Sequence, residues 1–154
     1  MRILKNYLRF LVAVQLLPAL ESGEETLVGA MEETVALLAE LRERGVRLLA
    51  LTNWSQETFP IARQRFPFLQ WFEGIVVSGE ERLIKPDARI YQRLLERYAV
   101  DPSRALYIDD SARNVAAAEA LGMQGWWFRD ADGLRQRLVE LELLEASARE
   151  ASHG

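Results

Sequence analysis

Three short apolar runs in this 154-residue chain each lead into a polar cluster. Val46 to Leu51 runs into Thr52-Asn53, Ile75 to Val77 leads through a loop to Lys85-Pro86-Asp87, and Ala105 to Ile108 ends in Asp109-Asp110. A hydroxyl with free backbone amides, a lysine and paired carboxylates can together hold a phosphate and a divalent metal. The metal takes hard oxygen ligands, and the lysine offers the phosphate a compact positive charge. Taken singly, Thr52 could equally cap a helix, and Lys85 reads as a solvated loop charge. The acid pair is harder to dismiss, because adjacent carboxylates closing a buried strand repel each other and a cation relieves that repulsion. Trp54 and Ser55 follow Thr52 closely and read as core or capping residues, with substrate contact as the alternative.

The elements that must position these groups become regular from about residue 28. Met31 to Arg44 carries Val35, Leu37, Leu38 and Leu41 at helical spacing and stops at Gly45, which suits a helix and its C-cap. Val46 to Leu51 reads as a buried strand, followed by a polar break over Thr52 to Ser55 and a helix to about Arg65. Ile75 to Val77 is a second strand, Ser78 to Pro86 a loop, and Asp87 opens a helix through Tyr98. Asp101-Pro102-Ser103 turns into a third strand, Ala105 to Ile108, and Ser111 caps an alanine-rich helix ending at Gly122. Gly125 to Phe128 is a fourth strand, and Asp132 leads into a last helix through Leu143. Strands alternating with helices of this length predict βαβ units around a parallel sheet, with ligands at the carboxyl ends of the strands.

Composition narrows the partners. Half the residues are hydrophobic (49%) and 27% are charged, as in a globular domain, and the length suits one such domain. A net charge of −4 argues against nucleic acid, which needs clustered Lys and Arg. With no cysteine, disulfides, thiol nucleophiles and thiolate metal sites are excluded. The single histidine, His153, reads as part of a solvated polar tail over residues 145–154. No stretch reaches the length of a membrane span, and a cytoplasmic location is the expectation. The arm over residues 1–28 is less legible. Arg2, Lys5, Asn6, Arg9 and Ala13 recur at helical spacing, which predicts an amphipathic helix; a strand over Tyr7 to Val14 and a cleaved signal are the alternatives.

The order of a strand-end Thr, then Lys-Pro, then Tyr-Ile-Asp-Asp-Ser-Ala-Arg-Asn-Val-Ala-Ala-Ala with a following Leu-Gly-Met resembles the haloacid dehalogenase-like hydrolases. The resemblance covers about residues 30 to 143. It implies a three-layer, Rossmann-like α/β core over residues 29–144 and phosphatase-type chemistry, the magnesium-dependent hydrolysis of a small phosphorylated metabolite through an aspartyl-phosphate. By the same resemblance Thr52 and the backbone of Asn53 bind the transferring phosphate, Lys85 neutralises it and steadies the attacking carboxylate, and Asp109 binds magnesium. Asp110 binds the metal or orients its waters, while Asn114 stands where many relatives carry a further acid. Haloacid dehalogenation of a small organic acid is the alternative within the family, but adjacent acids suit a metal and hence phosphate. A phospho-receiver module also combines acids, Thr and Lys, yet its acid pair comes first in the chain and here the pair comes last.

One departure from the family pattern bears on activity. Family members open their core with a strand ending in an aspartate nucleophile, and in this chain no aspartate precedes Asp87. The acids upstream of Thr52 are all glutamates, and none closes an apolar strand. Even a strand over Tyr7 to Val14 would be followed by Gln15, whose amide cannot form an acyl-phosphate. The expectation is therefore a family core truncated at its N-terminus, lacking its first, central strand, with residues 1–28 as a remnant of a helical cap. Such a chain would be inactive alone, a non-catalytic relic or a binding or split-core module, and its open sheet centre offers a route to self-association.

Overall fold

The computed structural model describes residues 10–13 and 25–146. Its strands are β1 (Phe10–Ala13), β2 (Arg47–Thr52), β3 (Gly74–Val77), β4 (Ala105–Asp109) and β5 (Gln124–Trp127). The helices are α1 (Glu25–Glu43), α2 (Phe59–Arg65), the single turn α3 (Ser78–Glu81), α4 (Ala88–Arg97), α5 (Ala112–Ala120) and α6 (Ala131–Glu140). All four strand pairings are parallel, and the five strands lie in the order β3-β2-β1-β4-β5.

β2 illustrates why the strands read as unbroken apolar runs. Side chains alternate between the two faces of a sheet, and both faces of this one are covered. Leu48 and Ala50 join a core with Leu37, Leu38 and Leu41 of α1 and Leu134 and Leu138 of α6. Leu49 and Leu51 join a second core with Ile90, Tyr91 and Leu94 of α4 and Val115 and Ala118 of α5. Each such leucine, fully buried, contributes roughly 1.5–3 kcal/mol before entropy is counted. The turn into β2 is equally determined by sequence. Gly45 takes a positive φ of 79°, its N–H donates to the Arg42 carbonyl at 3.1 Å, and Val46 N–H reaches the Leu41 carbonyl at 3.1 Å. These two bonds close α1 in a Schellman motif.

The centre of the sheet corrects the sequence reading. The first, central strand is present: Phe10–Ala13 lies between β2 and β4, with Val12 opposite both Leu49 and Tyr107. An amphipathic cap-helix remnant does not describe these four residues, and the open centre that would have favoured self-association is filled. The physical reason is that two parallel edges with unpaired N–H and C=O groups outweigh the helical spacing of a short apolar segment, which gains a ladder on both sides. Residues 1–9 and 14–24, the rest of the predicted arm, and the polar tail from residue 147 lie outside the described residues.

Smaller differences are local. The helix expected from Met31 begins at Glu25, and α3 occupies the start of the expected Ser78 to Pro86 loop. A 3₁₀ turn over Pro67–Trp71 was not anticipated, whereas the one over Pro102–Arg104 falls on the turn expected at Asp101-Pro102-Ser103. Because the strand order reverses beside β1, the carboxyl ends of β2 and β4 open onto the crevice where such sheets bind ligands.

Candidate active site

Register places the predicted residues on one edge. From the row that joins Leu49, Val12 and Tyr107, Asp109 lies two residues further along β4 and Thr52 three residues further along β2. The two strands are separated only by β1, about 10 Å across two ladder spacings. Thr52 and Asp109 are both 2% exposed, two of only three buried polar or charged residues among those described. Counting on from Val12 in sequence, the residues equivalent to Asp109 and Thr52 are Val14 and Gln15, and neither carries a carboxylate.

Lys85 reaches this edge from the loop after β3. Its ammonium donates to Asp109 Oδ2 at 3.0 Å, in a pair whose side chains are 7% and 2% exposed. The main chain carrying it is tied to the end of β2: Lys85 N–H donates to Asn53 Oδ1 at 3.0 Å, and Asn53 Nδ2 donates to the Lys85 carbonyl at 3.4 Å. Asn53 thus works through its side chain as a latch, beyond the backbone role expected for it.

A second tie lies beside the first. Ser78 Oγ accepts from Trp54 N–H at 2.9 Å, and Gly79 N–H donates to the Trp54 carbonyl at 2.9 Å. At Gly79 a Cβ would meet Gln56 N at 2.5 Å and the Trp54 carbonyl at 2.8 Å, so the close approach requires glycine. Trp54 is buried and Ser55 Oγ accepts from Thr58 N–H at 3.1 Å, which bears out core and capping roles for both.

Asp109 is held from every side. Its Oδ2 accepts from Lys85, from the Tyr107 hydroxyl at 2.7 Å and from Asn114 Nδ2 at 3.2 Å, while Oδ1 accepts from Ser111 N–H at 3.0 Å. Burial alone would raise its pKa, but the Lys85 charge, the Ser111 N–H and the Tyr107 hydroxyl outweigh it and hold Asp109 below the ordinary carboxylate value. Burial lowers Lys85 from its usual value despite the neighbouring aspartate. Tyr107 is pushed up by burial and by the Asp109 charge, and so remains a neutral donor. Asp110 differs: it is exposed, and partial desolvation, the hydrogen bond its protonated form donates to Asp109 and that residue's charge raise its pKa. That is a carboxyl group whose ionisation a nearby cation would favour.

Asn114, expected where relatives carry an acid, therefore acts as a hydrogen-bond donor to Asp109. The Tyr107 hydroxyl was missed in the sequence. The signal was there, since residues i and i+2 of a strand share a face, but a tyrosine in an apolar run reads as packing. Its ring also meets Tyr91 edge-on, with centroids 5.4 Å apart, and the Tyr91 hydroxyl donates to the Asn114 carbonyl at 3.0 Å. Among the described residues, no cluster of three or more His, Cys, Asp or Glu side chains is placed to hold a metal.

A parallel sheet ordered in this way, with a threonine, a lysine and an acid pair on its carboxyl edge, defines a Rossmann-like hydrolase core. The chain belongs to the haloacid dehalogenase-like hydrolases, whose pattern it matches over residues 11–122. It is similar to a sesquiterpene phosphatase of Aspergillus oryzae, 33% identical over 95 residues, a match covering 62% of this chain and 48% of the relative. The chain thus spans about half the length of that curated relative. In fold it is similar to a protein of unknown function from Corynebacterium glutamicum, with a TM-score of 0.72 at 23% identity over 91% of this chain and 98% of the other. A family enzyme from Bacteroides thetaiotaomicron, solved with magnesium and inorganic phosphate, superposes with a TM-score of 0.55 at 21% identity over 70% of this chain and 62% of its own.

Proposed function

We propose that this chain holds a small phosphomonoester, with magnesium, at Thr52, Asn53, Lys85, Asp109 and Asp110, and does not hydrolyse it unaided. The observation that carries the reading is the buried Lys85–Asp109 pair on the sheet edge that also carries Thr52 and Asp110, in a sequence with no aspartate before Asp87. Phosphatase chemistry in this family forms an acyl-phosphate on a strand-end carboxylate, and the candidate positions here are Val14 and Gln15. Halide removal by the same carboxylate is lost with it. The sesquiterpene phosphatase among the relatives supports a phosphate ester over a haloacid.

Magnesium fits the donor set in a largely hydrated form, because it is commonly held by one or two carboxylates plus substrate phosphate. Asp110 would be the accessible ligand and Asp109 the second. When bound, the ion would withdraw charge from the phosphate oxygens. The chain's own groups do the rest. The Lys85 ammonium offers the phosphate a point charge, the Thr52 hydroxyl a hydrogen bond, and the Asn53 latch fixes the lysine's main chain so that little ordering remains at binding.

Two measurements on the purified chain test this. Inorganic phosphate titrated with magnesium, followed by amide shifts in NMR spectra, should bind, and binding should vanish in Asp109→Asn and Lys85→Gln. Turnover of p-nitrophenyl phosphate should stay at the buffer rate. Magnesium-dependent turnover that Asp109→Asn abolishes would mean that another group supplies the nucleophile. No phosphate binding would leave only a non-binding relic.

A further inference from the structure

Among the described residues, three large apolar side chains are exposed, and two of them adjoin the site. Ile84, 62% exposed, immediately precedes Lys85. Trp127, 44% exposed, is the ladder partner of Asp109 across β4 and β5, and its indole N–H donates to the Asp110 carbonyl at 2.8 Å. It is also the one aromatic side chain left exposed among the described residues.

The neighbouring tryptophan shows what the same strand does with a structural ring. Trp126 points to the other face, packs against the core of α1 and α6, and has the Arg137 guanidinium over it at 5.8 Å. Trp127 faces the α5 side without being buried there. It is instead fixed from two directions, its edge by the Asp110 carbonyl and its face by the Arg129 guanidinium, 3.4 Å from the ring centroid. A flat, preorganised apolar surface with a cation on it therefore stands one hydrogen bond from the acid pair. Aromatic rings and guanidinium planes both favour flat π partners, and neither gains much from a short alkyl chain.

We infer that Trp127 and Arg129 form the subsite for the organic group of the bound ester, and that this group is aromatic: an aryl rather than an alkyl phosphomonoester. The inference rests on the phosphate-binding reading given above. Trp127 is the stacking surface, Arg129 orients its ring and adds positive charge at the rim, and Ile84 adds apolar surface next to Lys85.

The test is a set of dissociation constants, measured by calorimetry on the full chain in magnesium, for inorganic phosphate, methyl phosphate and phenyl phosphate. Phenyl phosphate should bind about three- to tenfold more tightly than methyl phosphate, the ratio one aromatic contact gives. Trp127→Ala should bring that ratio to one, Trp127→Phe should keep most of it, and Arg129→Gln should reduce it. The ratio within each variant cancels any common loss at Asp110 from removing the indole. Equal affinity for the two esters in the unaltered chain, or an aryl preference that survives Trp127→Ala, overturns the inference alone. If inorganic phosphate itself does not bind, the phosphate-site reading fails and this inference fails with it.

Discussion

Replacing Lys85 by methionine should destabilise the fold by about 2–3 kcal/mol at pH 7, for a reason that can be isolated. At a separation of 3.0 Å the Lys85–Asp109 attraction is about 5 kcal/mol for an effective dielectric of 20, and desolvation of two buried groups opposes it. Stranding one partner of such a pair commonly costs about 3–5 kcal/mol. Here the loss is smaller, because Asp109 keeps the Tyr107 hydroxyl, Asn114 Nδ2 and Ser111 N–H as donors. The substitution leaves the Asn53 latch alone, since that latch uses only the main chain of Lys85. Urea unfolding of the parent, Lys85→Met, Asp109→Asn and the double variant gives the coupling directly. We expect about 2 kcal/mol of coupling and, for a chain of this length, a fall in Tm of about 5–10 °C in Lys85→Met. A loss below about 0.5 kcal/mol with no measurable coupling would show that the ammonium is solvated, and the account of the site would be wrong at its centre.

Other perturbations reach the same site by different routes. Tyr107→Phe keeps the ring against Tyr91 but removes a donor to a carboxylate, and should cost about 1.5–3 kcal/mol in chemical unfolding. Ser111→Ala removes the side chain that accepts from Asn114 N–H at the start of α5, with a loss of about 1 kcal/mol by the same measurement. Gly79→Ala forces a Cβ onto the backbone of residues 54–56 and should cost about 1–3 kcal/mol, visible also as shifted Asn53 and Lys85 amide resonances. Asp87 is held at about 2 by the Arg89 side chain and N–H, below its ordinary value of 3.8. A lowered folded pKa means its stabilising contribution is present above about pH 4 and is lost as the pH falls towards 2. The difference in Tm between the parent and Asp87→Asn should therefore shrink over that interval.

Most of the architecture was legible because both faces of the sheet are buried. Strands such as Leu48 to Leu51 and Ala105 to Ile108 are apolar at every position, and Gly45 and Gly122 punctuate the helices before β2 and β5. Thr52 and Asp109, which the structure brings to one edge, were legible as candidates because they close those strands, and Lys85 because it follows β3 in the Lys-Pro-Asp turn. β1 was not, since a four-residue apolar run preceded by polar residues at helical spacing does not separate strand from helix, and what decides its conformation lies at residues 47 and 105, outside any local window. Tyr107 and Asn114 escaped for a related reason. Their role is a contact with a third residue, and residue type alone suggested packing for one and a lost metal ligand for the other.

The same strand sets a timetable for biosynthesis. Phe10 pairs with Arg47 on one side and with Ala105 on the other, partners that follow it by 37 and 95 residues. At roughly 5–20 residues per second, β1 waits about 5–20 s on the ribosome for β4 to be made. Until then its second edge is an unpaired template open to any other extended segment. The yield of soluble chain should therefore depend on elongation rate and on holdase chaperones more than its final stability would suggest.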